Sequence, residues 1–144
     1  MIRIIAGGRK NVGWILEACS EYEKRLRKPY DIKWEYYDEE KLLYKLEAWP
    51  FKSDRDYVIC CDERGENISS DEYSTLLSRE FVEGRNVVIL IGGAYGFPDS
   101  VRGQADFVWS FSRLVFPHIM ARLIVTEQIY RASQIAMGGK YHHA

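Results

Sequence analysis

The stretch Val87-Val88-Ile89-Leu90-Ile91-Gly92-Gly93 is the most strongly apolar run of the chain, and it passes directly into two glycines. A short apolar run that stops at a turn signal is typical of a strand buried within a sheet. Glycines at its end let the backbone take positive φ angles and approach a ligand closely. The stretch therefore predicts a buried strand followed by a tight turn.

Strand and helix patterns alternate on both sides of this stretch. The other strands are predicted at Ile2–Ala6, Ile32–Tyr36, Tyr57–Cys61 and near Phe107–Trp109. The helices between them are predicted to begin at Asn11, Asp38, Ser69 or Ser70, Asp99 and His118, and to end at Pro29, Pro50, Gly84, Gln104 and Met137. A β-α-β-α-β-α-β-α-β-α order predicts one α/β domain, residues 1–144, with a largely parallel sheet.

Composition places the chain among globular proteins. It has 144 residues, of which 47% are hydrophobic and 28% charged, which excludes a disordered or fibrous chain. No apolar run reaches the roughly 18 residues of a membrane helix, and the first residues do not resemble a signal peptide. The three cysteines are an odd set, and Cys60 and Cys61 are neighbours in an apolar run. These features favour a cytoplasmic protein with reduced thiols.

Charge is distributed unevenly although the formal net charge is only −1. Residues 1–33 carry eight basic and four acidic side chains, a balance of +4, and residues 34–72 carry a balance of −7. Local charge, rather than net charge, attracts phosphates, so a basic face toward nucleic acid is one interpretation. The other is that these charges only form solvated faces.

Three predicted loops follow strands at their carboxyl ends, where ligands of parallel sheets bind. They are 61–65, 92–96 and 110–116. The glycine turn lacks the order and position of a dinucleotide fingerprint, and no lysine follows it in the register of a phosphate-binding loop. Because the turn is uncharged, it suits a neutral or zwitterionic adenosine-type ligand, although a simple strand-to-helix turn has the same composition.

The last predicted helix carries most of the polar chemistry. Arg122 follows His118 by four residues, and Arg131 follows Glu127 by four, so each pair shares a helix face. The alternatives are a hydrogen bond from His118 at the helix start and an ion pair between Glu127 and Arg131. The rest of this helix is apolar almost all round, which predicts a second subunit covering it. Two histidines at the tail are too few for a metal site, and no metal is predicted.

Six motifs in order resemble the RlmH-type proteins, the ribosomal large subunit methyltransferase H family within the SPOUT class. They are Glu21-Tyr22-Glu23-Lys24-Arg25-Leu26, Ile91-Gly92-Gly93-x-x-Gly96, Ser110-Phe111-Ser112, Phe116-Pro117-His118, Glu127-Gln128-x-Tyr130-Arg131-Ala132 and Tyr141-His142. The resemblance spans essentially the whole chain. It implies an α/β fold with a C-terminal trefoil knot, a homodimer, S-adenosylmethionine as methyl donor (S-adenosylhomocysteine as product), and N3 of a pseudouridine in 23S rRNA as acceptor.

Carried over by position, the resemblance assigns a cofactor pocket. Its residues are Cys61, Gly92, Phe111, Ser112, Arg113, Leu114, Val115 and Phe116. They fall in the three loops chosen from topology. The resemblance also places Tyr141 and His142 near the acceptor base, across the dimer from the other subunit's pocket. The chain ends in Ala144, where a basic residue often stands in the family.

The reaction needs alignment of N3 with the methyl group and removal of the N3 proton. We expect His142, beside Tyr141, to act as base or orienter, with Arg131 or Arg113 as electrostatic support. The expected phosphate contacts are Arg9, Lys10, Lys24, Arg25, Arg27 and Lys28, the last four on the first helix. We expect the enzyme to bind 23S rRNA within the large subunit or the assembled ribosome.

Two other functions remain open from the sequence. A non-catalytic ribosome- or RNA-binding module could keep the same fold without methylating anything. A flavodoxin-like or nucleotide-dependent enzyme is the second alternative, and the missing phosphate-loop residues argue against it.

Overall fold

The computed structural model describes residues 1–47, 52–93 and 96–143. Five strands form one sheet in the order β2-β1-β4-β3-β5, and all four neighbouring pairs are parallel. The strands are β1 Ile2–Gly7, β2 Ile32–Tyr37, β3 Asp56–Glu66, β4 Asn86–Ile91 and β5 Phe107–Trp109. The helices are α1 Gly13–Glu23, α2 Glu39–Glu47, α3 Ser70–Val82, α4 Asp99–Arg102 and α5 His118–Ala136. The predicted parallel α/β architecture is confirmed.

Strand β4 is the centre of the sheet, and Val87–Ile91 is buried throughout. Alternate residues of a strand point to opposite faces, so the apolar run supplies both sides of the sheet. Ile89 belongs to a core shared with α3 and α5, whereas Val88 and Leu90 belong to a second core with α2 and α4. The apolar stretch 87–91 therefore packs against helices on both faces of the sheet, which gives the domain three layers.

Two predicted N-caps are confirmed. Ser69 caps α3 in a capping box, in which its hydroxyl accepts from the Glu72 N–H and the Glu72 carboxylate accepts from the Ser69 N–H. Asp38 precedes α2 and accepts from the backbone N–H of Lys41. The predicted end of α2 at Trp49 and Pro50 lies outside the described residues.

The prediction for α1 is wrong at both ends. The N-cap is Val12, because the Asn11 side chain is buried and its Oδ1 accepts a hydrogen bond from Arg122 instead. The helix ends at Glu23 rather than before Pro29. Residues 24–30 turn sharply because Leu26 and Tyr30 enter the core.

Strand β3 is longer than predicted. It continues past Cys61 to Glu66, and the stretch 61–65 is therefore part of the strand rather than a loop. Both Cys61 and Glu66 are in register with Trp109 of β5, so residues 62–65 bulge between them. A Cβ at Gly65 would overlap the Val108 carbonyl, which is why a glycine sits where the strands close again.

No helix in the described parts of the chain is long and apolar enough to cross a membrane. The trefoil knot and the homodimer implied by the resemblance stay predictions.

Candidate active site

A cavity of about 780 Å³ opens at the carboxyl ends of β3, β4 and β5. This volume is within the range of small-molecule sites. Seven of the eight predicted cofactor residues line it, namely Cys61, Gly92, Phe111, Ser112, Leu114, Val115 and Phe116. The eighth, Arg113, is exposed and does not line the cavity. The residues chosen from topology and resemblance thus lie together at one edge of the sheet, apart from Arg113.

The segment 110–117 closes one side of the cavity. It leaves β5 at the sheet edge and ends at α5, whose Arg122 binds the carboxyl end of β1. β1 lies three strands away from β5, about 14 Å at normal strand spacing, so the segment crosses the ends of β3 and β4. This crossing converts an open sheet edge into a cavity.

Hydrogen bonds and stacked rings hold the beginning of this segment. The Ser110 hydroxyl donates to the Ser112 carbonyl, and the Ser112 hydroxyl accepts from the Leu114 N–H. Trp109 stacks on Tyr73 with ring centroids 4.2 Å apart and meets Phe111 edge-on at 4.7 Å. The backbone that faces the cavity is therefore shaped before any ligand arrives.

The glycine turn after β4 leaves no room for side chains. A Cβ at Gly92 would lie 3.2 Å from the Phe97 ring, and one at Gly93 would overlap the Glu39 carboxylate. Gly96 has a φ of +70°, a conformation that favours glycine. Ala94 and Tyr95 of the predicted loop lie outside the described residues. The turn presents backbone to the cavity, as a cradle for a nucleoside requires.

Asp62 and Arg64 brace this turn from the β3 bulge. The buried Asp62 carboxylate accepts from the Arg64 guanidinium at 2.8 Å and from the Phe97 N–H at 3.4 Å. Arg64 and Arg102 both donate to the Phe97 carbonyl. The sequence analysis placed both residues in the predicted ligand loop 61–65 but gave neither a bracing role, although an acid and an arginine two positions apart beside a glycine were a usable signal.

Electrostatics at the brace keep Asp62 ionised. Burial raises its pKa, but hydrogen bonds from the Arg64 side chain and from the N–H groups of Arg64 and Phe97 outweigh this, so the pKa is lower than the ordinary value. Burial raises the pKa of the Cys61 thiol well above its ordinary value. Cys61 is therefore a neutral, apolar wall of the cavity and not a nucleophile.

Arg122 joins α5 to the loop after β1. It is 2% exposed, and its guanidinium donates to the carbonyls of Gly7 and Arg9 and to Oδ1 of Asn11 at 2.6–3.0 Å. The guanidinium also lies over the Tyr36 ring. Burial lowers its pKa from the ordinary value.

The tail residues predicted to be catalytic come together, but away from the cavity. Arg131 pairs with Glu127 at 2.7 Å, as the alternative interpretation expected, and its Nη1 is 3.1 Å from Nδ1 of His142. The Tyr141 hydroxyl donates to Glu127. Burial is the main cause that raises the pKa of Tyr141, and its interactions with Tyr22 and Glu127 raise this pKa further. Arg131 is thirteen residues beyond His118, so this cluster is roughly 20 Å along α5 from the cavity.

The predicted phosphate contacts form two groups at opposite ends of α1. Arg9 and Lys10 are exposed in the loop at the carboxyl end of β1. The prediction that the other four lie on the first helix is wrong, because α1 ends at Glu23. The turn after this helix carries Lys24, Arg25, Arg27 and Lys28. Lys24 and Arg25 pair with Glu21, so part of their charge is already balanced.

Comparison with known proteins gives matches over nearly the whole chain. The family described as "Predicted SPOUT methyltransferase" matches residues 1–142. The Ribosomal RNA large subunit methyltransferase H of Caldicellulosiruptor bescii is 37% identical, with 99% of each chain covered. The protein of the same name from Methylobacillus flagellatus is 32% identical, covering 98% of this chain and 97% of that protein.

Solved structures share the fold at low sequence identity. A probable methylase family protein from Haemophilus influenzae Rd KW20 has a TM-score of 0.60 at 13% identity, covering 99% of this chain and 70% of that one. The SpoU methyltransferase AviRb from Streptomyces viridochromogenes, solved with AdoMet, has a TM-score of 0.50 at 15% identity, covering 97% and 59%.

The Asp62 brace leads to a stability prediction. Asp62→Asn should lower the free energy of unfolding at pH 7 by about 1–3 kcal/mol, because it leaves buried donors without their acceptor. Because the folded pKa of Asp62 is depressed, the stability that ionisation provides is lost as the pH falls below 3.8 and through the folded value.

Urea denaturation of the two proteins across pH measures this effect. The difference in free energy of unfolding between the unmodified chain and Asp62→Asn should become smaller in acid. Glu63→Gln, at the exposed neighbouring position, is the control and should leave stability unchanged. A gap that stays constant down to pH 2 would contradict an ionised Asp62.

Proposed function

Because this chain belongs to the SPOUT methyltransferase family, we propose that it methylates N3 of a pseudouridine in 23S rRNA with S-adenosylmethionine as donor. The observation that carries the proposal is the cavity at the carboxyl ends of β3, β4 and β5, closed by the segment 110–117. The names of the relatives support ribosomal RNA of the large subunit as the substrate class.

The residues around the cavity fit an adenosyl group. Backbone groups of the glycine turn and of the segment 110–117 provide hydrogen-bond donors and acceptors, and Leu114, Val115 and Phe116 provide apolar flanks for a ring. When bound, S-adenosylmethionine supplies an activated methyl group, which passes to N3 while the electron pair of the carbon–sulfur bond returns to sulfur. The chain itself must hold the base in line and remove the N3 proton.

The position of the tail supports a dimer in which each tail serves the partner's cavity. In a single chain, Tyr141 and His142 lie one long stretch of α5 away from the cavity. Trp14 and Leu16 on α1 are exposed apolar residues, and several apolar residues of α5 are only partly buried. A second copy packed on this face would cover them and bring the tail across.

The same arrangement would also bring the two basic groups together. Arg25 lines a small groove on the α1 and α5 surface together with Tyr141. A tail that reaches the partner's cavity would bring Arg25 and its basic neighbours with it. They would meet Arg9 and Lys10 of the partner, and this would give an otherwise near-neutral molecule one basic rim for rRNA.

Labelled methyl transfer tests the function directly. The chain is incubated with methyl-labelled S-adenosylmethionine and naked 23S rRNA, large subunits or whole ribosomes, and the labelled base is mapped. We expect label at N3 of a pseudouridine in at least one substrate. Binding of S-adenosylmethionine without transfer to any of them would favour the non-catalytic RNA-binding alternative.

A matched pair of variants tests the cavity. Val115→Trp should raise the calorimetric Kd for S-adenosylmethionine at least tenfold, about 1.4 kcal/mol, by filling the space for the ring. Val82→Trp, at an exposed site on α3 that does not line the cavity, should leave it unchanged. Equal affinities for both variants would place the ligand elsewhere.

Complementation tests the tail. His142→Ala should reduce turnover far more than cofactor affinity. When a His142→Ala chain and a Val115→Trp chain are purified as a mixed dimer, a tail acting across the dimer leaves one complete site. Activity should return to about half that of the unmodified dimer, since one of two sites works. A tail acting within its own subunit would leave the mixed dimer inactive.

Salt dependence tests the basic rim. Replacing Arg9 and Lys10, or Arg25 and Lys28, by alanine should weaken RNA binding and reduce the slope of log K against log salt by about 0.7 for each lost single-strand phosphate contact. The control is Lys33→Ala with Lys52→Ala, which removes the same charge elsewhere. An unchanged slope would assign these residues to a solvated face.

A further inference from the structure

His118 and Arg122 lie where the carboxyl end of β1 meets the cavity. His118 lines the cavity together with Gly92, Gly93 and Phe116. A Cβ placed on Gly8 would be 3.8 Å from Nε2 of His118 and 3.3 Å from Nη2 of Arg122. Both polar groups therefore lie within 4 Å of one point on the loop after β1.

The His118 imidazole is not used to cap its helix. The N-cap of α5 is Pro117, and no side chain caps this end. Within the described ranges, the structure shows no hydrogen bond or ion pair to the His118 ring. The helix-start hydrogen bond considered from the sequence is thus absent there, and the ring nitrogens remain available to a ligand in the cavity.

Arg122 brings a fixed positive charge close to this imidazole. Its three hydrogen-bond acceptors are uncharged oxygens, its Nε has no partner among the described residues, and no carboxylate pairs with it in that part of the chain. A buried charge without a counter-ion is expensive, and its field is weakly screened. Such a charge stabilises negative charge that develops nearby.

His142 is placed differently. In its own subunit its ring nitrogens lie 3.1 Å from Arg131 and 3.3 Å from Asp71, so both already have partners. His118 therefore differs from His142 in two respects: it lies on the cavity wall, and its ring nitrogens have no partner among the residues that the structure describes.

We infer that His118 is the catalytic residue that accepts the N3 proton of the acceptor base, with Arg122 stabilising the resulting negative charge. The inference rests on the proposed function. The N3–H bond breaks, a bond forms between that proton and a ring nitrogen of His118, and the electron pair stays on N3 for the new bond to carbon. The imidazolium then returns its proton to water. In this scheme Tyr141 and His142 of the tail orient the base and do not accept the proton.

His118→Gln is the test, with His143→Gln as the same change at an exposed position. The single-turnover rate of His118→Gln should fall about 100-fold, as expected for the loss of a general base. The calorimetric Kd for S-adenosylmethionine and the Kd for the RNA substrate should change less than threefold. The rate deficit should shrink at high pH, where the imide ionises without a base. His143→Gln should behave like the unmodified chain.

A second variant distinguishes the loss of the base from misfolding. His118→Ala removes the ring, and added imidazole should restore part of its rate. The charged side chains that line the cavity or lie beside it are Asp62, Glu63 and Arg64 of β3, Arg122 of α5 and Glu39, whose carboxylate packs against Gly93. Glu39→Gln should therefore retain the pH profile of the unmodified chain, and loss of that profile would assign the proton to Glu39 instead.

The outcomes separate this inference from the proposed function. An active unmodified chain with a His118→Gln rate within threefold of it, or a rate loss matched by a loss of cofactor affinity, would overturn the role of His118 alone. An unmodified chain that transfers no methyl group to any substrate would overturn the proposed function, and the role of His118 with it.

Discussion

The contact between Arg122 and the carbonyls of Gly7 and Arg9 is the constraint on which the site depends. It fixes the start of α5 at the carboxyl end of β1, three strands away from the end of β5. The connecting segment therefore crosses the ends of β3 and β4, where it closes the cavity. A buried cation held by neutral oxygens is costly, so the remaining core must supply the stability that this arrangement consumes.

Much of the fold could be predicted because local pattern and burial agree in it. The apolar run at 87–91 is the central strand, and Ser69 caps α3 as its spacing with Glu72 indicated. The predictions failed where a distant residue decided the local structure. Asn11 has the composition of a helix cap, but Arg122, more than a hundred residues away, binds its side chain. Likewise, the bulge of β3 depends on a fit between Gly65 and Val108 that no local pattern reveals.

Neutral and charged groups occupy different parts of the site. The glycine turn and the side chains of Leu114, Val115 and Phe116 form neutral walls of the cavity, and even Cys61 is kept neutral by burial. Charged groups lie around these walls, at the brace of Asp62 and Arg64, at Glu63 and Glu39, at Arg122 and in the tail cluster at Arg131. The sequence indicated the neutral walls, since the glycine turn itself carries no charge. The sequence did not indicate the brace, because Asp62 also accepts from the backbone N–H of Phe97, 35 residues away in the turn before α4.

Arg122 recognises backbone oxygens, and Gly7 and Arg9 contribute no side chain to the contact. Any residue can offer a carbonyl, so the anchor is indifferent to the identity of position 9. The fold therefore leaves the exposed side chains at positions 9 and 10 to the proposed contact with RNA, whereas the buried Asn11 must keep its side-chain oxygen for the same guanidinium.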